Sequence, residues 1–301
     1  MEKSINKRSS QGKKNNPTGG RWRLLLPLLC LWFIFYPQTQ ATGAAAGHLT
    51  LWVHPYLPAT ELVNRFTPLA EYLAAGLDRP VEIRVPQNYQ THVEVVGRNQ
   101  ADLAFMGPAG YVAMRRQYGE KPLLAVLEEK GSILFHGVII VRQDSLLHEL
   151  GQVKGQSFAF GDPHSTMSYL VPRAMLARAG VELADLARYD FLNSHHDVAL
   201  GVLGGYFAAG GVKDEVFDYY QPRGLRALAV SPPIPDHLFA TRSNLDTGTV
   251  ERLRELLLAV NEHPDRQLIL GSIKDGLTGL RPVTAEDYDE LAALTEEFDD
   301  D

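Results

Sequence analysis

Five short apolar runs punctuate the first half of this chain, Leu49 to Val53, Val81 to Val85, Asp102 to Phe105, Leu123 to Leu127 and Val138 to Val141, with helical patterns between several of them. The runs are rich in Val, Ile and Leu and lack strict alternation. That pattern reads as strands buried on both faces, which only helices packed on either side of a sheet can provide. Between the first two runs, Leu62, Phe66, Leu69 and Leu73 form a helical stripe in which Pro68 marks either a kink or a restart capped by Thr67. The fold class is therefore α/β.

A second set of elements follows. Phe158 to Phe160, Tyr189 to Leu192 and Leu225 to Val230 read as strands, and Ser165 to Ala179 and His196 to Leu203 as helices. The turn-rich Ser231-Pro232-Pro233-Ile234-Pro235 leads into a strand-like His237 to Thr241, Thr249 to Val260 is amphipathic, and Thr284-Ala285-Glu286-Asp287 has the form of a capping box for a last helix. Two lobes are expected, 47–142 plus 239–301 and 143–238, with the chain leaving the first near Arg142 and returning near Leu238. Two crossings make a hinge.

The N-terminus carries Lys3, Lys7, Arg8, Lys13, Lys14, Arg21 and Arg23 against Glu2, then the apolar run Leu24 to Tyr36 and small residues up to Ala46. This is the pattern of a secretory signal peptide, which with a short linker covers 1–46, with cleavage after Ala41 or Ala46. The run falls short of the ~20 apolar residues of a spanning helix, so an uncleaved anchor is the weaker alternative. Cys30 follows Leu29, which is not small, so lipidation is not expected. Cleavage removes the only cysteine and moves the formal charge from −7 to −13, since seven basic residues leave with one acid. An acidic exported chain of roughly 255 residues, enough for a sizeable core, argues against nucleic acid or anionic lipid as partner and uses no disulfide.

Enzyme motifs fail one by one. There is no phosphate-binding GxxxxGK[ST] loop, no GxGxxG turn and no HExxH helix, and Gly155-Gln156-Ser157-Phe158-Ala159 lacks the last glycine of a nucleophile elbow. The adjacent pair His195-His196 has no identifiable third ligand, so no metal site, no cofactor and no catalytic residue are assigned.

What remains is chemistry at strand ends, where open α/β sheets place their ligands. These positions are Tyr56, Asn88-Tyr89, Met106-Gly107-Pro108, the hydroxyl cluster Ser165, Thr166 and Ser168 around Met167, and Asn193-Ser194-His195-His196. The hydroxyl cluster opens a helix, whose first amides lack intrahelical partners and carry the positive end of the helix dipole, so it can cradle a small oxyanion. Each position alone has a plainer reading: Ser165 as an N-cap, Tyr89 as core, Gly107-Pro108 as an ordinary turn, and His196 as a helix-start residue.

The chain resembles the solute-binding proteins of phosphate, phosphite and phosphonate ABC importers. The resemblance spans essentially the whole mature chain and rests on Pro68-Leu69-Ala70-Glu71-Tyr72-Leu73, on Asp102-Leu103-Ala104-Phe105-Met106-Gly107-Pro108-Ala109-Gly110-Tyr111, on Phe160 through Ser168, and on His196-Asp197-Val198-Ala199-Leu200. It implies a two-lobed type II periplasmic-binding-protein clamshell with the ligand cleft between the lobes, and a non-catalytic, monomeric periplasmic protein that delivers a small phosphorus oxyanion to an ABC permease. The same clamshell could instead report its ligand to a membrane sensor kinase. By the resemblance, Ser165, Thr166 and Ser168 hold the phosphoryl oxygens while Tyr56, Tyr89 and His196 close over the ligand. Where the family carries an aspartate in its Gly-x-x-Asp-Ala-Gly segment, this chain has Ala208. A carboxylate near the cleft would pair with an ammonium, so its absence predicts an anion without an amino group.

Overall fold

The computed structural model describes residues 47–192 and 194–296. Residues 1–46, where the sequence predicts a signal segment and its cleavage sites, Asn193 and residues 297–301 lie outside the described residues. Along the chain come β1 (Leu49–Val53), α1 (Ala59–Leu77), β2 (Val81–Arg84), α2 (Tyr89–Gly97), β3 (Leu103–Met106), α3 (Pro108–Tyr118) and β4 (Leu123–Glu129). Next are β5 (Leu134–Phe135), β6 (Gly137–Arg142), β7 (Ser157–Phe160), α4 (Val171–Arg178), β8 (Arg188–Phe191), α5 (His195–Leu203), β9 (Ala209–Lys213) and α6 (Asp214–Tyr220). The chain continues through β10 (Leu225–Val230), β11 (Ile234–Pro235), β12 (Leu238–Thr241), α7 (Thr247–Ala259), α8 (Arg266–Ile273), β13 (Leu277–Arg281) and α9 (Asp289–Thr295).

The strands form two main sheets, and each centres one lobe. The first has the order β13-β4-β12-β3-β1-β2 and the second β10-β6-β9-β7-β8, while β5 and β11 pair as a short ribbon between them. Strands β3, β4 and β12 are buried along almost their whole length, which explains their unbroken apolar sequences. Phe66 from α1 packs on Phe105 and Phe105 on Phe239, all fully buried, each ring stabilising the core by about 1.5–3 kcal/mol relative to exposure. Helix α1 runs unbroken past Pro68, and the Thr67 hydroxyl donates to the Val63 carbonyl one turn back instead of capping a restart.

Two strands differ from the sequence reading. The run Val138 to Val141, grouped there with the first set, lies in β6, which pairs antiparallel with β9 and β10 in the second sheet. A strand buried on both faces looks the same in either sheet, so only its pairing partners settle its place. Strand β9 carries no strand signature in the sequence, because Ala209-Gly210-Gly211 has low β-propensity. Space requires those glycines: a Cβ on Gly210 would lie 2.6 Å from Val198 Cγ1, and one on Gly211 would lie 2.5 Å from Pro172 Cγ.

The chain passes between the sheets at the β5–β11 ribbon. There Gly137 N–H donates to Ser231 Oγ at 2.9 Å, Ser231 N–H to the Gly137 carbonyl, and Asp236 N–H to the Ile133 carbonyl. Helix α9 packs against both α3 and α4. It brings Leu291 and Leu294 into an apolar cluster shared by Met106 and Tyr111 of one sheet's helices and strands and Phe158 and Val171 of the other's.

Candidate functional site

Parallel pairing fixes which strand ends face each other. In the second sheet β7 runs parallel to β8 and β9, so their C-terminal ends deliver the Ser165 turn, His195 and Lys213 to one edge. In the first sheet β1 runs parallel to β2 and β3, and β12 antiparallel to β3, so Tyr56, Tyr89, Gly107 and His237 share the facing edge. The two edges touch. Ala109 N–H donates to Thr166 Oγ1 at 3.2 Å, and the Tyr89 ring stacks on His164 with centroids 5.1 Å apart.

On the second-lobe side, Ser165 is the N-cap of a wide helical turn, Thr166–Leu170, that runs into α4; its hydroxyl accepts from Ser168 N–H at 3.2 Å. The capping role and an anion-binding role are compatible, because the Ser165 hydroxyl hydrogen remains available to donate. The amides of Thr166 and Met167 are the first of the turn and have no preceding carbonyl within the helix to bond. Thr166 and Ser168 are buried polar residues, and Gly161 is obligatory beside them, since a Cβ there would fall 2.1 Å from Ser168 Oγ.

On the first-lobe side a ring of aromatic groups surrounds Gly107. His54, directly after β1, stacks on Tyr56 at 4.7 Å and meets Tyr89 at 5.5 Å, His237 at 5.0 Å and His92 at 6.2 Å. A Cβ on Gly107 would come within 3.4 Å of His54 Cε1 and 3.5 Å of His237 Nε2. Burial pushes the Tyr56 hydroxyl up to about 12 and raises that of Tyr89, with Asp162 adding to the latter. Both stay protonated donors at neutral pH. Burial holds His54 well below its ordinary value, helped by His237 and His92, so it is a neutral imidazole.

Beside this ring lies a charged end. Lys274, just before β13, bonds Glu129 and lies 3.8 Å from both Glu215 and Asp236, while Lys213 pairs with Glu215 at 2.5 Å. Burial alone would raise the Asp236 carboxyl, but its bond to His237 and the attraction of Lys274 outweigh this and hold it at about 2. Lys274 is raised despite burial by Asp236, Glu129 and Glu215. The cations at this end are thus matched by carboxylates, and no metal-binding group of three or more His, Cys, Asp or Glu occurs among the described residues.

Of the positions expected from sequence, Tyr56, Tyr89, Gly107, Ser165, Thr166 and Ser168 converge. Met106 instead fills the apolar core, Pro108 starts α3, and Met167 packs its sulfur toward Gly137 at the start of β6. His196 is exposed and packs edge-on against Tyr219 and Tyr220, because the first turn of α5 points it outward. Its neighbour His195 turns inward and accepts from Lys213 N–H at 3.1 Å; burial, with Lys213 and His196, lowers it to about 3. Ala208 lies away from the cleft altogether. It precedes β9 at the end where β7 begins, donating its N–H to Ser157 Oγ and to the Ser157 carbonyl. A carboxylate there would not face the cleft, so the argument from Ala208 to the charge of a ligand does not hold. His54, His237, Asp236 and Lys274 join the site without any sequence motif to mark them; the one local signal is the position of His54 straight after β1.

The model of a family described as ABC transporter, phosphonate, periplasmic substrate-binding protein matches residues 51–288. The phosphate-import protein PhnD of Mycolicibacterium smegmatis is 24 % identical over 278 residues, covering 84 % of this chain and 86 % of its own. A Xanthomonas citri protein solved with chloride ion superposes with a TM-score of 0.74 at 24 % identity, covering 84 % of this chain and 98 % of that one. PhnD1 of Prochlorococcus marinus, solved with methylphosphonate, superposes with a TM-score of 0.68 at 21 % identity over 83 % of this chain and 97 % of its own. A family match over most of the chain, on a two-lobed fold whose strand ends meet at a hydroxyl-lined helix start, makes this chain a member of the periplasmic substrate-binding proteins of phosphonate ABC transporters.

Proposed function

We propose that the cleft captures a small phosphorus oxyanion, such as phosphate, phosphite or an alkylphosphonate, and that the closed protein delivers it to an ABC permease in the inner membrane. The observation that carries this is the meeting of the Thr166 turn with the ring of His54, Tyr56 and Tyr89 around Gly107. Neutral donors converge there from both lobes, and the nearby lysines are already paired. In an enclosed site, hydrogen bonds from neutral donors to a charged oxyanion are strong, and their fixed count and geometry select size and protonation state. Relatives named for phosphate import and solved with methylphosphonate agree with that ligand class.

The lobes in this reading are 47–133 with 237–296 and 137–230, joined at the β5–β11 ribbon, and closure around the ligand is the event the permease recognises. A thermal-shift screen of the mature protein tests the ligand class. A ligand at one hundred times its dissociation constant stabilises the fold by about 2.7 kcal/mol, so phosphate, phosphite or methylphosphonate should raise the melting temperature while sulfate should not. Stabilisation by sulfate alone, or by none of the four, would overturn the reading.

A further inference from the structure

His54 is 4 % exposed, and neither of its ring nitrogens has a hydrogen-bond partner among the described residues. A neutral imidazole carries one donor and one acceptor, and folded proteins rarely leave both unmet in the interior. Shape does not demand a histidine, because the neighbouring Phe105 and Tyr56 show that plain aromatic rings fit this wall. His237 completes the picture. Its Nδ1 lies 2.5 Å from Asp236 Oδ1, a carboxylate that accepts the Nδ1–H and so leaves Nε2 as the acceptor in the neutral ring. That bare nitrogen and the edge of His54 border the same space over Gly107. From the other lobe the Thr166 turn reaches this space, through the bond to Ala109 and through Tyr89, which touches both His54 and His164.

We propose that His54 and His237 form the proton-responsive half of the anion site: a ligand oxygen bound over Gly107 shares one proton with His237 Nε2 and accepts the N–H of His54. This rests on the cleft being an anion site. The proton count is the same whether a phosphoryl O–H donates to the bare Nε2 or a protonated ring donates to an ionised oxygen. Either way the complex holds one proton more than a fully ionised ligand and a neutral ring do apart. The surroundings set which imidazole bears it. His54 faces Tyr56 on its own segment, Tyr89 and His92 from α2, and His237, and among the described residues its ring nitrogens bond no carboxylate. His237 faces His54 and Tyr56 and is backed by the Asp236 carboxylate. Lys274, 3.8 Å behind that carboxylate, opposes an extra positive charge, but Glu129 and Glu215 flank it. Burial, reinforced by His237 and His92, keeps His54 the neutral donor, and His237, with the Asp236 carboxylate behind its Nδ1, is the ring placed to share the proton with the ligand. A more basic oxygen holds the shared proton more strongly, so phosphate and methylphosphonate are preferred over sulfate, a far weaker base.

Isothermal titration of the mature protein with inorganic phosphate and with methylphosphonate, across pH 6 to 9 in two buffers of different ionisation heat, tests this. Above each ligand's own ionisation the expected result is uptake of about one proton per site and an association constant that falls about tenfold per pH unit. His237→Gln should bind more weakly and lose that slope, whereas His54→Gln should weaken binding by about tenfold and keep it. Binding without buffer dependence, or a His237→Gln variant with the wild-type slope, would overturn the proposal. Should His237→Gln not fold, nitrogen-15 spectra of the wild-type histidine rings decide: a His237 Nε2 signal unmoved at saturation overturns the proposal, and a shift toward the protonated position supports it. Absence of binding by either anion at every pH would bring down the anion-site reading itself, a result distinct from binding without proton linkage.

Discussion

The two walls of the cleft are built in different ways. The second-lobe wall is a helix start with three hydroxyls inside four residues, built from local backbone geometry and a cap. The first-lobe wall consists of single side chains brought from β1, α2 and the segment before β12, with a charged end completed by Lys274. A contiguous wall tolerates the loss of one donor, since its amides remain. A wall of isolated, mutually supporting groups does not, because each neutralises or orients another.

The strongest test of this contrast is Lys274→Met. The change leaves Glu129, Glu215 and Asp236 close together without their shared cation, and breaking a mostly buried ion pair from one side costs about 3 kcal/mol. Urea denaturation should show that loss, and phosphate binding should weaken because uncompensated carboxylates then border the anion. Lys274→Met with Glu129→Gln should recover part of the stability. An unchanged urea midpoint for the single variant would mean that solvent already screens this end and that the first-lobe wall is no more interdependent than the second.

Acid titration sharpens the same contrast. Burial lowers His92 from 6.5 to about 4, and His54 is lowered by burial and its neighbouring imidazoles. Between the ordinary and the lowered values the unfolded chain binds more protons than the folded one. The stability these groups contribute is therefore complete above about pH 6.5 and drains as pH falls toward the folded values, by up to about 1.4 kcal/mol per unit for each histidine. Asp236, held at about 2, contributes above the ordinary carboxylate range and loses its share only as pH falls toward 2. The melting temperature should thus drop between pH 7 and 5, before the carboxylates titrate, and His92→Phe should flatten that drop. A flat profile over this interval would show that the buried imidazoles gain protons without cost.

The unequal legibility of the walls has the same origin. Ser165 to Ser168 follow an apolar strand and open a helix, so capping chemistry alone marks the turn in the sequence, and the structure shows Ser165 as the cap. Gly107 could likewise be read from its place between β3 and α3. His237 and His54 are separated by the whole second lobe, and neither neighbourhood carries a local motif; their meeting depends on the antiparallel register of β12 against β3, Leu238 opposite Met106. The inward turn of His195 rather than His196 is a matter of one helical step, about 100° of rotation, set by where Ser194 caps α5. Ala208 shows a subtler gap. A motif fixes a residue's place along the chain, but which end of β9 faces the cleft follows only from its parallel pairing with β7.

Thr166→Ala probes the contiguous wall. Its hydroxyl accepts from Ala109 N–H across the lobes at 3.2 Å and can donate onward to an anion. Losing a hydrogen bond to a charged group costs about 1.5–3 kcal/mol, which should appear as weaker phosphate binding by titration calorimetry with little change in the ligand-free melting point. If binding is untouched while stability falls, the hydroxyl serves only the inter-lobe contact and the second-lobe wall works through its amides alone.

The smallest effect is expected at Ala208→Asp. The residue is half-buried before β9, its N–H bonded to the Ser157 hydroxyl and carbonyl, and the whole of β9 separates it from Lys213 at the cleft edge. A strand rises about 3.3 Å per residue, so five residues place a carboxylate there well beyond a Debye length of about 8 Å from the anion at physiological salt. Phosphate, methylphosphonate and aminoethylphosphonate affinities should each change by less than about twofold. Calorimetry on the two variants checks this, with Glu215→Gln as the contrasting change at the cleft end, where Lys213 and Lys274 would lose a counter-ion. A strong shift toward aminoethylphosphonate in Ala208→Asp would mean that the carboxylate reaches the ligand, and the assignment of the β7 and β9 C-terminal ends to the cleft would have to be reversed.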